Sequence, residues 1–267
     1  MKILSPSNKQ LKRIRTLFHK KTRQKKGLFI VEGIHAVGQA NESGADFESI
    51  IFSPQMLTSE FALHVIEQQA QKGIPCYQVN PTVFETLAQK ENPQGLLALV
   101  RRKECRLMDV HPKSFPWWVA LVNPQDPGNV GTTLRTVDAV GASGVIMTQP
   151  CVEPTHPSLV RSSMGTLFWH PLIITTFEEL LWWVKEYGYH LIGTSAHAEK
   201  CIFEVSEYPF PLILLFGSER EGLTEQQRAA CDSLIRLPML GKTTSLNLSV
   251  AAGIILYDIL QKKQKAG

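Results

Sequence analysis

The sequence has no apolar run near the ~20 residues that a membrane-spanning helix needs, and its first residues, MKILSPSNKQLKRIR, lack the apolar stretch of a secretory signal. Cysteine is scarce. Cys76, Cys105, Cys151, Cys201 and Cys231 lie far apart, without a C-x-x-C pair or metal-ligand spacing, and the eight histidines form no H-x-x-x-H pair. These absences predict a cytoplasmic protein with reduced thiols, no membrane partner and no metal. Nucleotide fingerprints are missing too. Gly128 and Gly131 are three apart rather than two, so G-x-G-x-x-G is absent, and no G-K-[ST] follows them. Acidic residues are wholly absent from positions 1–26.

What is there is a 267-residue chain, 43% apolar and 19% charged, with material for a real core and for one large domain or two ordinary ones. The net charge of +4 hides an asymmetry: residues 1–26 carry ten bases, and the remainder is acidic by six. Such a basic segment suits a polyphosphate partner. Lys9, Lys12, Arg13 and Arg23 are its candidate RNA contacts. A solvated amphipathic helix burying Leu11, Ile14 and Leu17 explains the same residues, and the two readings are compatible.

The first part, to about Val100, alternates short strands (28–31, 49–52, 75–79, 95–100) with helical stretches (33–40, 60–71, 82–89) around one small sheet. Residues 101–116, RRKECRLMDVHPKSFP, have linker composition. We place an N-terminal α/β domain at 1–103, a linker at 104–116 and a larger α/β domain at 117–267. In the latter, strands at 118–122, 145–148, 190–194, 212–216 and 233–237 alternate with helices at 130–140, 177–187, 224–231 and 245–262, which predicts a parallel sheet covered on both faces. Ligands of such sheets sit beyond the carboxyl ends of the strands.

Three predicted strand-end loops are rich in Gly, Asn and Ser. In N123-P-Q-D-P-G-N-V-G-T-T-L-R135, Asn129 can cap the following helix and Arg135 lies on its first turns, an arrangement that favours an anion. An ordinary N-cap with a surface Arg fits equally well. In L215-F-G-S-E-R-E-G-L223, Gly217 ends the strand and Glu219 is presented before Gly222. In R236-L-P-M-L-G-K-T-T-S-L-N-L-S249, Pro238 and Gly241 impose irregular backbone before Ser245, itself a candidate cap. Each loop alone is a weak signal.

Together the loops resemble the three motifs of the SpoU (TrmH) class of SPOUT methyltransferases, N-x-G-x-x-x-R, G-x-E-x-x-G-[LM] and [IL]-P-M-x-G-x-x-x-S-L-N-[VL]-S, over residues 117–262. Asn129, Gly131 and Arg135 match the first motif; Gly217, Glu219 and Gly222 match the second; Leu237 to Gly241 and Ser245 to Ser249 match the third. The stretch V160-R-S-S-M-G-T-L-F168 is similar to a family segment in which Arg161 and Ser163 would touch RNA. F29-I-V-E-G33 and P93-Q-G-L-L97 resemble the L30e-like substrate-binding domain found in many members.

The resemblance implies an RNA ribose 2′-O-methyltransferase with a deep trefoil knot, working as a homodimer on ribosomal RNA (guanosine favoured), with tRNA as the alternative. It implies S-adenosyl-L-methionine lined by Gly217, Leu237 and Leu246, and a catalytic group of Arg135, Asn129, Glu219, Ser245 and Asn247. A guanidinium normally keeps its proton, so Arg135 suits orientation and charge stabilisation better than general-base work. The rival readings are a catalytically inactive RNA-binding homologue and a nucleotide-dependent enzyme on a doubly wound sheet. The missing glycine fingerprint argues against the latter.

Overall fold

The computed structural model describes residues 2–5 and 8–266. They form two compact units. One holds the chain up to Lys103 together with Thr155–Trp169; the other holds Glu104–Pro154 and the chain from His170 onward.

The first unit is built from β1 (Lys2–Ile3), α1 (Lys9–Thr16), α2 (Lys20–Lys26), β2 (Leu28–Glu32), α3 (Ile34–Glu42), β3 (Phe47–Phe52), α4 (Glu60–Gln71), β4 (Cys76–Gln78), α5 (Pro81–Glu85) and β5 (Leu96–Arg101). Its mixed five-stranded sheet runs β1-β4-β3-β5-β2, with β5 antiparallel to both β3 and β2. The strands are apolar at nearly every position because both faces are covered. Phe29, Val31, Ile50, Phe52, Ala98 and Val100 pack under α3 and α4. Their neighbours Ile30, Ile51, Leu97 and Leu99 face the other way, against Leu11, Ile14 and Leu17 of the basic segment and Val83 and Phe84 of α5. Helix starts follow the local chemistry: Ser59 caps α4, and Asn80 caps α5 ahead of Pro81.

The segment Thr155–Trp169 departs from the sequence reading, which puts it in the second domain. Its short helix α7 (Pro157–Ser162) packs on β2, Val160 is buried in the first unit's core, and Phe168 stacks on Phe29 with ring centroids 6.2 Å apart. The expected linker 104–116 differs as well. Leu107 and Val110 are buried in the second unit's core beside Trp118 and Trp183, so this charged stretch is anchored by its few apolar residues.

The second unit comprises β6 (Trp117–Val122), α6 (Pro127–Val140), β7 (Gly144–Thr148), β8 (Leu172–Thr175), α8 (Phe177–Tyr187), β9 (His190–Thr194), β10 (Lys200–Cys201), β11 (Leu212–Phe216), α9 (Glu225–Ala229), β12 (Ser233–Arg236) and α10 (Leu248–Ala266). All seven strands are parallel, in the order β10-β12-β9-β11-β6-β7-β8. Central β6 (WWVALV) and β11 (LILLF) are buried throughout, as strands covered on both faces must be. From β6 the chain moves to one side through β7 and β8, and later strands fill the other side from β9. Strand order therefore reverses between β6 and β11, where a ligand crevice is expected.

Candidate active site

Loops leaving the carboxyl ends of β6, β9, β11 and β12 enclose a cleft of about 1130 Å³. Ligand pockets usually measure ~300–1,000 Å³, so this one has room for two reactants side by side. Asn129, Gly217, Glu219, Leu237, Ser245, Leu246 and Asn247 all line it. The three weak sequence signals thus converge on one place.

A chain of hydrogen bonds ties the loops together. The Glu219 carboxylate accepts from the backbone N–H groups of Gln125 at 3.4 Å and Asp126 at 3.3 Å, and from Asn129 Nδ2 at 3.4 Å. Asn129 Oδ1 in turn accepts from Asn247 Nδ2 at 2.9 Å. Asn247 Oδ1 accepts from the Ser249 N–H at 2.9 Å and the Ser249 hydroxyl at 2.7 Å, capping α10.

Two expected caps are corrected by this geometry. Helix α6 begins at Pro127, with Asp126 accepting from the Gly128 N–H at 2.6 Å, so Asn129 is not the cap. Proline needs no N–H partner at a first helical position, which moves the helix start toward the N-terminus. Asn129 then sits in the first turn, buried, with its amide directed at two other loops. Likewise α10 begins at Leu248, and Asn247 rather than Ser245 caps it; Ser245 stays in irregular backbone on the cleft wall.

Gly217 has a strict steric requirement. A Cβ there would fall inside the backbone of Gly222 and Leu223, because Ser218 and Gly222 exchange backbone hydrogen bonds at 3.2 and 2.9 Å and fold the loop back on itself. Gly222 completes the turn at φ +68°. Leu237 and Leu246 add apolar surface to a cleft wall whose backbone is irregular. Burial pushes the nearby Cys231 thiol up to about 11, reinforced by Asp232, which keeps it a neutral thiol rather than a nucleophile.

Arg135 is the exception among the expected catalytic residues. It is exposed and does not line the cleft, and among the described residues its side chain makes no hydrogen bond or ion pair. Six residues of helix carry it about 9 Å along the axis and about 120° around from Asn129. Of the expected RNA contacts, Lys9, Lys12 and Arg161 are exposed, and Arg13 pairs with Glu48 at 2.7 Å. Two are engaged within the fold. Arg23 is buried and donates through Nη1 to the Leu17 and Phe18 carbonyls, both at 2.9 Å. Ser163 is fully buried and its hydroxyl donates to the Val160 carbonyl at 2.8 Å.

Sequence reasoning passed over the Gln125 and Asp126 amides that hold Glu219, and Asn123, which takes φ +47° and accepts from the Thr148 hydroxyl at 3.1 Å. The N-P-Q-D-P-G run carries their signal, as two prolines set four residues in a fixed turn. Among the described residues no group of three or more His, Cys, Asp or Glu side chains is placed to hold a metal, and no helix is long and apolar enough to cross a membrane.

Comparison with known proteins places this geometry. The structure of an AdoMet-bound rRNA methyltransferase from Sinorhizobium meliloti superposes with a TM-score of 0.89 at 30% identity, covering 97% of each chain. A 23S rRNA (uridine(2479)-2′-O)-methyltransferase of Streptomyces viridochromogenes is 28% identical across 92% of this chain and 87% of its own length. A 23S rRNA (guanosine(2553)-2′-O)-methyltransferase of Bacillus subtilis is 27% identical across 96% and 98%. Residues 8–98 match an MRM3-like substrate binding domain. Residues 116–257, more than half the chain and including every loop of the cleft, match the SpoU rRNA methylase family, and the chain belongs to that family.

Proposed function

We propose that this chain transfers the methyl group of S-adenosylmethionine to a ribose 2′-hydroxyl in structured RNA. One observation carries the reading: the run Glu219–Asn129–Asn247 that bonds three loops into a single cleft wall. The relatives named above, with a bound donor in one and 2′-O-methylation in the others, agree with it.

The residues present fit the donor. An adenosine moiety needs an apolar slot flanked by uncommitted backbone groups. Leu237 and Leu246 provide apolar surface beside irregular backbone, and Gly217 lets the second loop fold tightly beneath it. When bound, the donor supplies an already activated sulfonium methyl. The protein's own task is then placement. Asn129 and Asn247 lock each other, Glu219 is held by two amides, and Ser245 stands on the cleft wall. A charged guanidinium can orient the acceptor and stabilise the negative charge that develops on its oxygen. Arg135 has this role.

We infer that a second copy of the chain brings Arg135 to the cleft. Helix α10 packs along α6, which carries Arg135, and exposes Val250, Ile254 and Tyr257 at 50%, 41% and 54%. Their spacing puts them on one apolar stripe, as a helix-to-helix dimer contact requires. We further infer a deep trefoil knot involving the loops of the second and third motifs, 217–222 and 238–247. The support is that β12, late in the chain, lies inside the sheet between β10 and β9. Ribosomal RNA, guanosine included, is the preferred substrate over tRNA, supported by the relatives' substrates. A cytoplasmic location accords with five cysteines that form no disulfide.

The test is calorimetric titration with S-adenosylmethionine, followed by mapping of 2′-O-methyl sites in ribosomal and transfer RNA from cells with and without the gene. Donor binding plus one missing methyl in the deletion strain is the expected result. No donor binding would overturn the proposal.

A further inference from the structure

The first unit contains a second, smaller pocket of about 370 Å³, remote in sequence from the three loops and unused by the chemistry above. Its volume is near the lower end for small-molecule sites, enough for one nucleotide-sized ligand. Phe18, Ile30 and Ala36 give it apolar lining, while Glu32, Lys90, Arg161 and Arg23, the last already bonded to the Leu17 and Phe18 carbonyls, bring charge.

The charge is unbalanced. Glu32 is the single acid lining the pocket, and its carboxylate already accepts from the backbone N–H groups of Gln89 at 2.8 Å and Lys90 at 3.4 Å. The side chains of Lys90 and Arg161 make no hydrogen bond or ion pair among the described residues. An opening lined by aromatic and aliphatic side chains together with two uncommitted cations suits a base and a phosphate.

The pocket is also built, and the F29-I-V-E-G33 signature builds it. Glu32 pins the turn that bears Lys90. Gly33 has φ +100°, and a Cβ there would collide with Lys90 Nζ, so glycine leaves the space in which the ammonium lies. Gln94 of the second signature accepts from the Ile34 N–H at 3.1 Å and ties that loop to the start of α3. Arg161 arrives on α7, from the segment that joined this unit unexpectedly.

We infer that this pocket binds a single ribonucleotide of the RNA substrate, its base against Phe18 and Ala36 and its phosphate on Lys90 and Arg161. The inference rests on the proposed RNA methylation for the identity of the polymer, and on the pocket alone for the ligand class.

The experiment titrates full-length protein with the four ribonucleoside 5′-monophosphates, with inorganic phosphate and with the free nucleosides, following amide NMR shifts of residues 30–36 and 89–91. Lys90→Gln/Arg161→Gln and Ala36→Phe are compared with wild type. At least one monophosphate should bind, more tightly than phosphate or its nucleoside, and both variants should abolish the shifts while retaining the wild-type melting temperature. With substrate RNA, KM should rise roughly tenfold in the double variant, and the slope of log K against log salt should fall by about two. Donor affinity should be unchanged. No monophosphate binding, equal binding of bare phosphate, or an unaltered KM and salt slope would overturn the inference. If monophosphates bind but wild type methylates no RNA, the proposed function fails and the pocket stands; if methylation persists with unaltered KM in the double variant, the reverse holds.

Discussion

Asn129 and Asn247, 118 positions apart, are joined by a 2.9 Å hydrogen bond from one side-chain amide to the other. Each has further duties, Asn129 as donor to Glu219 and Asn247 as cap of α10. Of the three members Asn129 alone is buried, and a partly buried polar network holds best when every member is satisfied.

Replacing either residue should therefore affect both loops. Asn129→Ala or Asn247→Ala is expected to slow methyl transfer by ~10²-fold, as removal of one preorganised donor typically does. A double-mutant cycle on single-turnover rates should show coupling of ~0.5–3 kcal/mol. Strictly additive effects would mean that the bond contributes nothing to the cleft.

Arg135→Ala should leave donor binding intact, since the residue lies outside the cleft wall, while methylation collapses. Mixing that variant with a donor-site variant such as Gly217→Val should restore part of the activity if the guanidinium comes from a second copy. Mixtures that stay inactive would count against a shared site.

Gly217→Ala places a methyl group inside the backbone of Gly222 and Leu223. The loop must open, at a cost of at least ~1–3 kcal/mol. Thermal unfolding should record the loss and calorimetry a weakened donor affinity. An unchanged melting temperature would contradict the loop geometry.

Arg23 and Lys12 belong to one basic run but should behave differently. Lys12→Gln is expected to lower the salt slope of RNA binding by about one and leave the melting temperature alone. Arg23→Gln removes donors from two carbonyls at the end of α1 and should destabilise by ~1–3 kcal/mol. Filter binding across a salt series, paired with thermal melts, separates the two.

This contrast marks how far the sequence could be read. Strand alternation is written in local periodicity, so the parallel sheet was legible, whereas the site residues stood out only through the resemblance of three individually weak loops to the family motifs. Asn129 is a cap only for a helix that starts at Val130, and Pro127 favours the earlier start that leaves the cap to Asp126. Arg23 differs from its basic neighbours only in what the folded chain places around it, and nothing local records that. Val160 and Phe168 look like apolar residues of a polar loop until Phe29 is brought beside them.

Thr155–Trp169 leaves one unit, inserts in the other and returns. The polypeptide therefore passes between the halves at 103/104, 154/155 and 169/170, and no single cut separates them. Protease nicking near Lys103 should release nothing until a second break is made. Excising residues 116–267 as a stand-alone enzyme would strip Val160, Leu167 and Phe168 of their shelter and yield a sticky, aggregation-prone fragment. In evolutionary terms, the recognition half cannot be shuffled onto a new catalytic half without carrying a piece of the old one along.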